Sequence, residues 1–171
     1  MLNFEIKTKI SNPSKTLNKL RKIGVVYKNT MNQVDYYFKV GTYKEKIREI
    51  DKKTIQLISY KRLEKKGKKN SNYIIKKLSL KQKNNLLKQK PLLCVVNKTR
   101  ELWIYKHTRI HFDNVVNLGS FLEIETVVKN ISKKRGLDEF KKIVNLLKIN
   151  LKRTEEHSYS DLILNNEKQR N

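Results

Sequence analysis

Arg109-Ile110-His111-Phe112-Asp113 and, past a turn containing Gly119, Phe121-Leu122-Glu123-Ile124-Glu125 decide how this chain is read, because charged and apolar residues alternate in both runs. Alternation at period two is the mark of a β-strand. In extended backbone, Arg109, His111 and Asp113 share one face with Ile110 and Phe112 opposite, and Glu123 and Glu125 likewise oppose Leu122 and Ile124. A single such hairpin would be an ordinary half-buried pair of strands. Repetition of the pattern makes it more than that.

Working outward, Leu2 to Ile10 sets Asn3, Glu5, Lys7 and Lys9 against Phe4 and Ile6. Val25 to Val40 carries Gln33, Asp35 and Tyr37 on one parity, and Lys44 to Ile50 carries Lys44, Lys46 and Arg48, with Gly41 between the two strands. Thr54 to Arg62 aligns Ile58, Tyr60 and Arg62; Ser71 to Leu78 aligns Tyr73 and Lys77; Leu92 to Tyr105 aligns Val96, Lys98 and Arg100. About eight antiparallel strands curled with these charged faces inward enclose a polar barrel whose apolar outside needs helices to cover it. The fold class expected is therefore α+β, an antiparallel β-tunnel with helices packed outside.

Helical spacing supplies the cover. Asn12-Pro13 offers a cap with proline at the first helical position, and Leu17, Leu20 and Ile23 recur at helical intervals before Gly24. Ser79 caps a second helix that ends before Pro91, with Leu86 and Leu87 on its apolar stripe. Leu137, Phe140, Val144 and Leu147 predict an amphipathic helix over Asp138 to Lys148, and a shorter one covers Ser158 to Leu164. Residues 1–164 form one expected domain, and residues 165–171, without an apolar anchor, a frayed tail.

Composition limits the partners. Forty Lys+Arg against 16 Asp+Glu give a net charge of +24, which predicts affinity for polyanions, and the run Lys65-Lys66-Gly67-Lys68-Lys69 is a possible nucleic-acid contact. Thirty-two of the 40 are lysines, so much of this charge reads as solvated surface; the arginines, better suited to bidentate phosphate binding, sit in the strands as Arg48, Arg62, Arg100 and Arg109. No apolar run reaches the ~20 residues that span a bilayer. Cys94, the single cysteine, has no internal disulfide partner and reads as core filler. No membrane partner and a cytoplasmic location are expected.

An interior lined with cations calls for a multivalent anion, since unpaired buried charge is costly. Glu5, Asp113, Glu123 and Glu125 on the same faces would repel that anion unless a divalent cation bridges them, as Mg²⁺ does with a few carboxylates plus phosphate oxygens. A metal-bound polyphosphate fits both signs of charge.

Glu5-Ile6-Lys7 resembles the end of the N-terminal ExExK motif of the CYTH superfamily, and Lys44-Glu45-Lys46-Ile47-Arg48-Glu49 resembles its basic RxKxRE strand. Tyr60-Lys61-Arg62 with Ser71-Asn72-Tyr73, Val96-Asn97-Lys98-Thr99-Arg100, the two opening runs with Leu118-Gly119, and Ser158-Tyr159-Ser160-Asp161-Leu162 resemble successive blocks of the class IV adenylyl cyclase-like branch, in order and nearly end to end. The resemblance implies a tunnel that holds a triphosphate and one or two Mg²⁺ or Mn²⁺ ions. On matching positions it implies Glu5, Glu123 and Glu125 as metal ligands, with Asp113 either a ligand or a residue just behind the ligands; Lys46, Arg48, Arg100 and Arg109 as substrate-binding; and Lys7, Arg62 and Lys98 as catalytic cations. The first acidic residue of the family motif is Asn3 here, which removes one negative charge from a metal position. Expected substrates are ATP, tripolyphosphate or thiamine triphosphate, cyclised or hydrolysed, with a non-catalytic nucleotide, polyphosphate or RNA binder as the alternative.

Overall fold

The structure, a computed structural model, describes residues 2–39, 43–62 and 71–170, with the side chains of residues 2, 60–62, 71–73 and 170 outside the description. Eight strands form one antiparallel sheet: β1 (Leu2–Lys9), β2 (Val26–Phe38), β3 (Lys44–Ile50), β4 (Thr54–Arg62), β5 (Ser71–Leu78), β6 (Leu92–Tyr105), β7 (Thr108–Val115) and β8 (Gly119–Val128). Their order is β1-β8-β7-β6-β2-β3-β4-β5. The expected hairpins are present, and the crossover from β1 to β2 places the N-terminal strand beside β8, so Glu5 opposes Glu125 and Lys7 opposes Glu123. The lysine run 65–69 and Gly41 lie outside the described residues.

Three helices pack outside. α1 (Pro13–Arg21) starts where the Asn12 side chain accepts from the Lys15 amide, and α2 (Leu80–Gln89) starts in a capping box formed by Ser79 and Gln82. α3 (Lys133–Leu147) begins five residues before the predicted Asp138 because Ser132 caps it. Gly136 does not interrupt this helix; it is where α3 approaches the sheet, and a Cβ there would stand 3.0 Å from Val128 Cγ2. Leu20, Phe140, Ile143 and Val144 cover Ile110, Phe112, Leu122 and Ile124, which are the apolar halves of the alternating strands. Under α2, Phe38, Ile47, Ile55 and Leu78 form a second cluster. Glu45 and Glu49 tie β3 to α2 and its C-terminal cap through Lys90 and Lys83, with Glu45 buried.

The fourth helix takes a different place. α4 (Tyr159–Arg170) extends past Leu164 through the segment expected to fray, whose residues 165–169 are helical and exposed. Its first turn lies on the charged side of the sheet, where Tyr159 packs with Tyr37, Cys94, Val96, Val115 and Phe121. The ring of Tyr159 touches both Lys7 of β1 and Lys98 of β6, so the sheet is curled with its charged face concave and α4 closes one end.

Candidate functional site

Hairpin register assembles the first charged group. Asp35 of β2 lies opposite Arg48 of β3 and Val96 of β6, so cations from both neighbours reach its carboxylate. Arg48 donates from Nε and Nη2 to the two Asp35 oxygens, each at 2.7 Å, and Lys46 Nζ donates to Asp35 Oδ2 at 2.8 Å and to the Tyr37 hydroxyl at 3.1 Å. Lys98 Nζ is 3.6 Å from the same Oδ2. Asp35 is 1 % exposed; burial alone would raise its pKa, but Lys46, Lys98 and Arg48 hold it well below the ordinary carboxylate range. The lysines stand the other way. Burial, offset in part by Asp35 and deepened by the other cations, lowers Lys46 to about 8 and Lys98 to about 7.

A second group centres on Arg100. It donates to both oxygens of its cross-strand partner Asp113, at 2.6 and 2.5 Å, and to Glu123 Oε2 at 2.8 Å. The Tyr159 hydroxyl donates to Asp113 Oδ2 at 2.8 Å. Burial opposes ionisation of Glu123, yet Arg100, Lys98 and Lys7 together keep it ionised. His111 is buried with Nδ1 unpartnered; burial, with Arg100 nearby, lowers it to about 4 and leaves it neutral at pH 7. Lys7 Nζ donates to the His157 carbonyl and lies 4.6 Å from the Tyr159 ring centre, with Lys98 at 5.2 Å from the same ring.

The third group is acidic. Glu5 and Glu125 are direct cross-strand partners, and Asn3 donates from Nδ2 to Glu125 Oε1 at 2.6 Å while its buried Oδ1 has no partner. Arg109, half exposed, reaches Glu125 Oε2 at 3.4 Å. Burial raises the Glu125 pKa; Arg109 opposes this, and the charges of Glu5 and Glu123 add to it. Among the described residues no three His, Cys, Asp or Glu side chains form a ready cage for a metal. Two carboxylates and a free amide oxygen nevertheless make a hard-oxygen donor set of the kind Mg²⁺ and Mn²⁺ accept when phosphate oxygens complete the shell. Asp113 differs from the other expected ligands, because Arg100 and Tyr159 already occupy both of its oxygens.

The structure thus brings Lys46, Arg48 and Lys98 together, then Arg100, Asp113 and Glu123, then Glu5, Glu125 and Arg109, with Lys7 joined to the set through Tyr159. Arg62 ends β4 opposite Ser71, and its side chain lies outside the described residues. Sequence reasoning missed Asp35 and Tyr159 as members of the site. Asp35 shares its strand parity with Gln33 and Tyr37 and falls opposite Arg48, so hairpin register could have shown it; nothing local marks Tyr159, whose helix was expected outside.

Residues 1–159 match the family model described as CYTH domain. The chain belongs to the CYTH family. A relative from Methanocaldococcus jannaschii, named "Putative adenylate cyclase", is 26% identical over 172 residues, covering 95% of this chain and 98% of the relative. Among solved structures, a protein of Pyrococcus horikoshii OT3 superposes with a TM-score of 0.80 at 19% identity, covering 94% of this chain and 98% of that one. Another, from Vibrio parahaemolyticus and titled a "putative adenylate cyclase", superposes at 0.71 with 14% identity over 95% and 98% of the two chains. At such identity the two structures speak for the fold alone. The CYTH sheet of this chain keeps its charged face concave, and α4 seals one end of it.

Proposed function

We propose that the protein is a metal-dependent enzyme acting on a triphosphate, most closely a class IV adenylyl cyclase-like enzyme that converts ATP to cyclic AMP and pyrophosphate, with hydrolysis of an organic or inorganic triphosphate as the other outcome of the same clamp. The observation that carries this reading is the convergence of Lys7, Lys46, Arg48, Lys98 and Arg100 on one concave face, where Asp35 and Asp113 hold the last four in place and Lys7 rests on the Tyr159 ring. CYTH membership and the name of the Methanocaldococcus relative support it. An arriving phosphate chain replaces the partial neutralisation by Asp35 with full charge-assisted hydrogen bonds, each worth about 1.5–3 kcal/mol.

Glu5, Glu123 and Glu125 with Asn3 Oδ1 would hold Mg²⁺ or Mn²⁺, which would polarise phosphoryl oxygens and neutralise charge on the leaving group. Asp113 is a positioning residue, fixing the Arg100 guanidinium. For cyclisation, the ribose 3′-oxygen forms a bond to the α-phosphorus, the bond to the pyrophosphate oxygen breaks, and the hydroxyl proton must leave. Lys98, lowered to about 7, is a buried amine able to take it near neutral pH. Arg48, Lys46 and Arg100 take up the charge growing on the pyrophosphate. Incubating the protein with Mg²⁺ or Mn²⁺ and, separately, ATP, tripolyphosphate and thiamine triphosphate, then identifying products by chromatography, tests the reading. Cyclic AMP with pyrophosphate supports the cyclase, orthophosphate release supports hydrolysis, and no metal-dependent turnover of any of the three rejects the enzyme.

A further inference from the structure

On the opposite side of the molecule, residues 9–24 and 140–154 contain ten Lys or Arg and no Asp or Glu, whereas the other 30 basic residues share the chain with all 16 acidic ones. These two segments are distant in sequence but adjacent in space, since α1 packs against α3. Both turn their apolar residues inward: Leu17, Leu20 and Ile23 join Phe140, Ile143 and Leu147 over the core. Lysines are left facing out. Lys15, Lys22, Lys141, Lys148 and Lys152 are exposed, and Lys19 is half-buried at a groove of about 260 Å³ between β1, α1 and the end of α3. Among the described residues, none of the ten pairs with a carboxylate, in contrast to Lys83 and Lys90 on the α2 side. Thr8, Ser11 and Thr16 line the same groove.

We infer that this α1–α3 face docks the phosphodiester backbone of a duplex nucleic acid. Lysine is suited to the task as a point charge that contacts phosphate without reading sequence. Phe140 is the only aromatic residue of the two segments and it is buried, and Arg21 covers the buried Trp103 beside them, so neither segment offers a platform on which unstacked bases could lie, as single-strand binders require; the exposed Tyr27 stands at the margin. Leu151 is its one exposed large apolar side chain, too little apolar surface for a helix that lies in a membrane. The surface is remote from the concave face and does not depend on the tunnel's chemistry.

The test is fluorescence anisotropy with a labelled 20-base-pair duplex, between 50 and 200 mM salt, comparing the wild type with K15Q/K19Q/K148Q/K152Q and with a control of equal charge loss elsewhere, K52Q/K76Q/K81Q/K88Q. Each phosphate contact contributes about 0.9 to the slope of log affinity against log salt. The α1–α3 variant should lose about 2–4 from that slope and at least about tenfold in affinity at 100 mM salt, while the control changes little. Tripolyphosphate should still raise the melting temperature of the α1–α3 variant as it does the wild type, showing a folded protein with an intact tunnel. Equal losses in the two variants would mean diffuse attraction and overturn the assignment. So would tighter binding of a single strand of the same sequence, or loss of binding to phosphatidylserine vesicles with duplex affinity unchanged.

Discussion

At the scale of the residue, Asp35 holds three cations that would otherwise face one another in a dry interior. Removing one member of a buried charge cluster typically costs about 3–5 kcal/mol, so Asp35→Asn should destabilise the apo protein by about 3 kcal/mol in urea unfolding. Tripolyphosphate should then restore more stability to the variant than it adds to the wild type; an unchanged unfolding midpoint would show the three cations to be stable without it. Lys98 gives a pH dependence with a definite sign. Its folded pKa of about 7 lies below the ordinary lysine value, so between pH 7 and about 10.5 the unfolded chain binds the extra proton and apo stability rises with pH. Anion binding runs the other way as the ammonium is lost. Melting temperatures from pH 6 to 10 should show the apo protein gaining on Lys98→Met while the tripolyphosphate-induced shift shrinks, and parallel curves would count against the assignment. Asn3→Asp trades a donor to Glu125 for a third carboxylate beside Glu5 and Glu125, so at pH 7 the apo melting temperature should fall. Mg²⁺ should raise it by more than it raises the wild type, and equal Mg²⁺ shifts would remove Asn3 from the metal position.

At the scale of the element, α4 shows what alternation could and could not reveal. Period-two patterning in β1, β7 and β8 identified both the apolar halves that α1 and α3 cover and the charged halves that meet inside, because a strand with one buried face must segregate its residues in this way. The Asn12 and Ser79 caps were equally legible, since capping is local chemistry. The start of α3 was misplaced because Gly136 reads as a breaker until its packing against Val128 is seen. The position of α4 was not legible: a short helix with Leu162, Ile163 and Leu164 can lie on either side of a curled sheet, and long-range contacts decide it, the Tyr159 bond to Asp113 and the Asp161 pair with Lys44 among them. Tyr159→Phe keeps the ring under Lys7 and Lys98 and removes that bond, so it should cost about 1 kcal/mol. Tyr159→Ala also empties the packed end of the concave face and should cost about 3–5 kcal/mol. Equal losses from the two in thermal unfolding would mean that the ring contributes nothing to closure.

At the scale of the whole molecule, the ladders run in one line from β1 to β5, and no described pairing joins these two ends. A closed barrel has a girth dictated by strand number and stagger. A curled sheet with two loose margins works instead like a split ring, whose gap is set by whatever clasps it. Here the clasp is made of side chains and a helix: Lys44 of β3 bonds Asp161 of α4 at 2.7 Å, and Tyr159 spans from β1 to β6. Bore and backbone are thereby uncoupled. A lineage carrying this sheet can admit a bulkier or slimmer guest by altering a few residues on one helix, without breaking a single rung between strands.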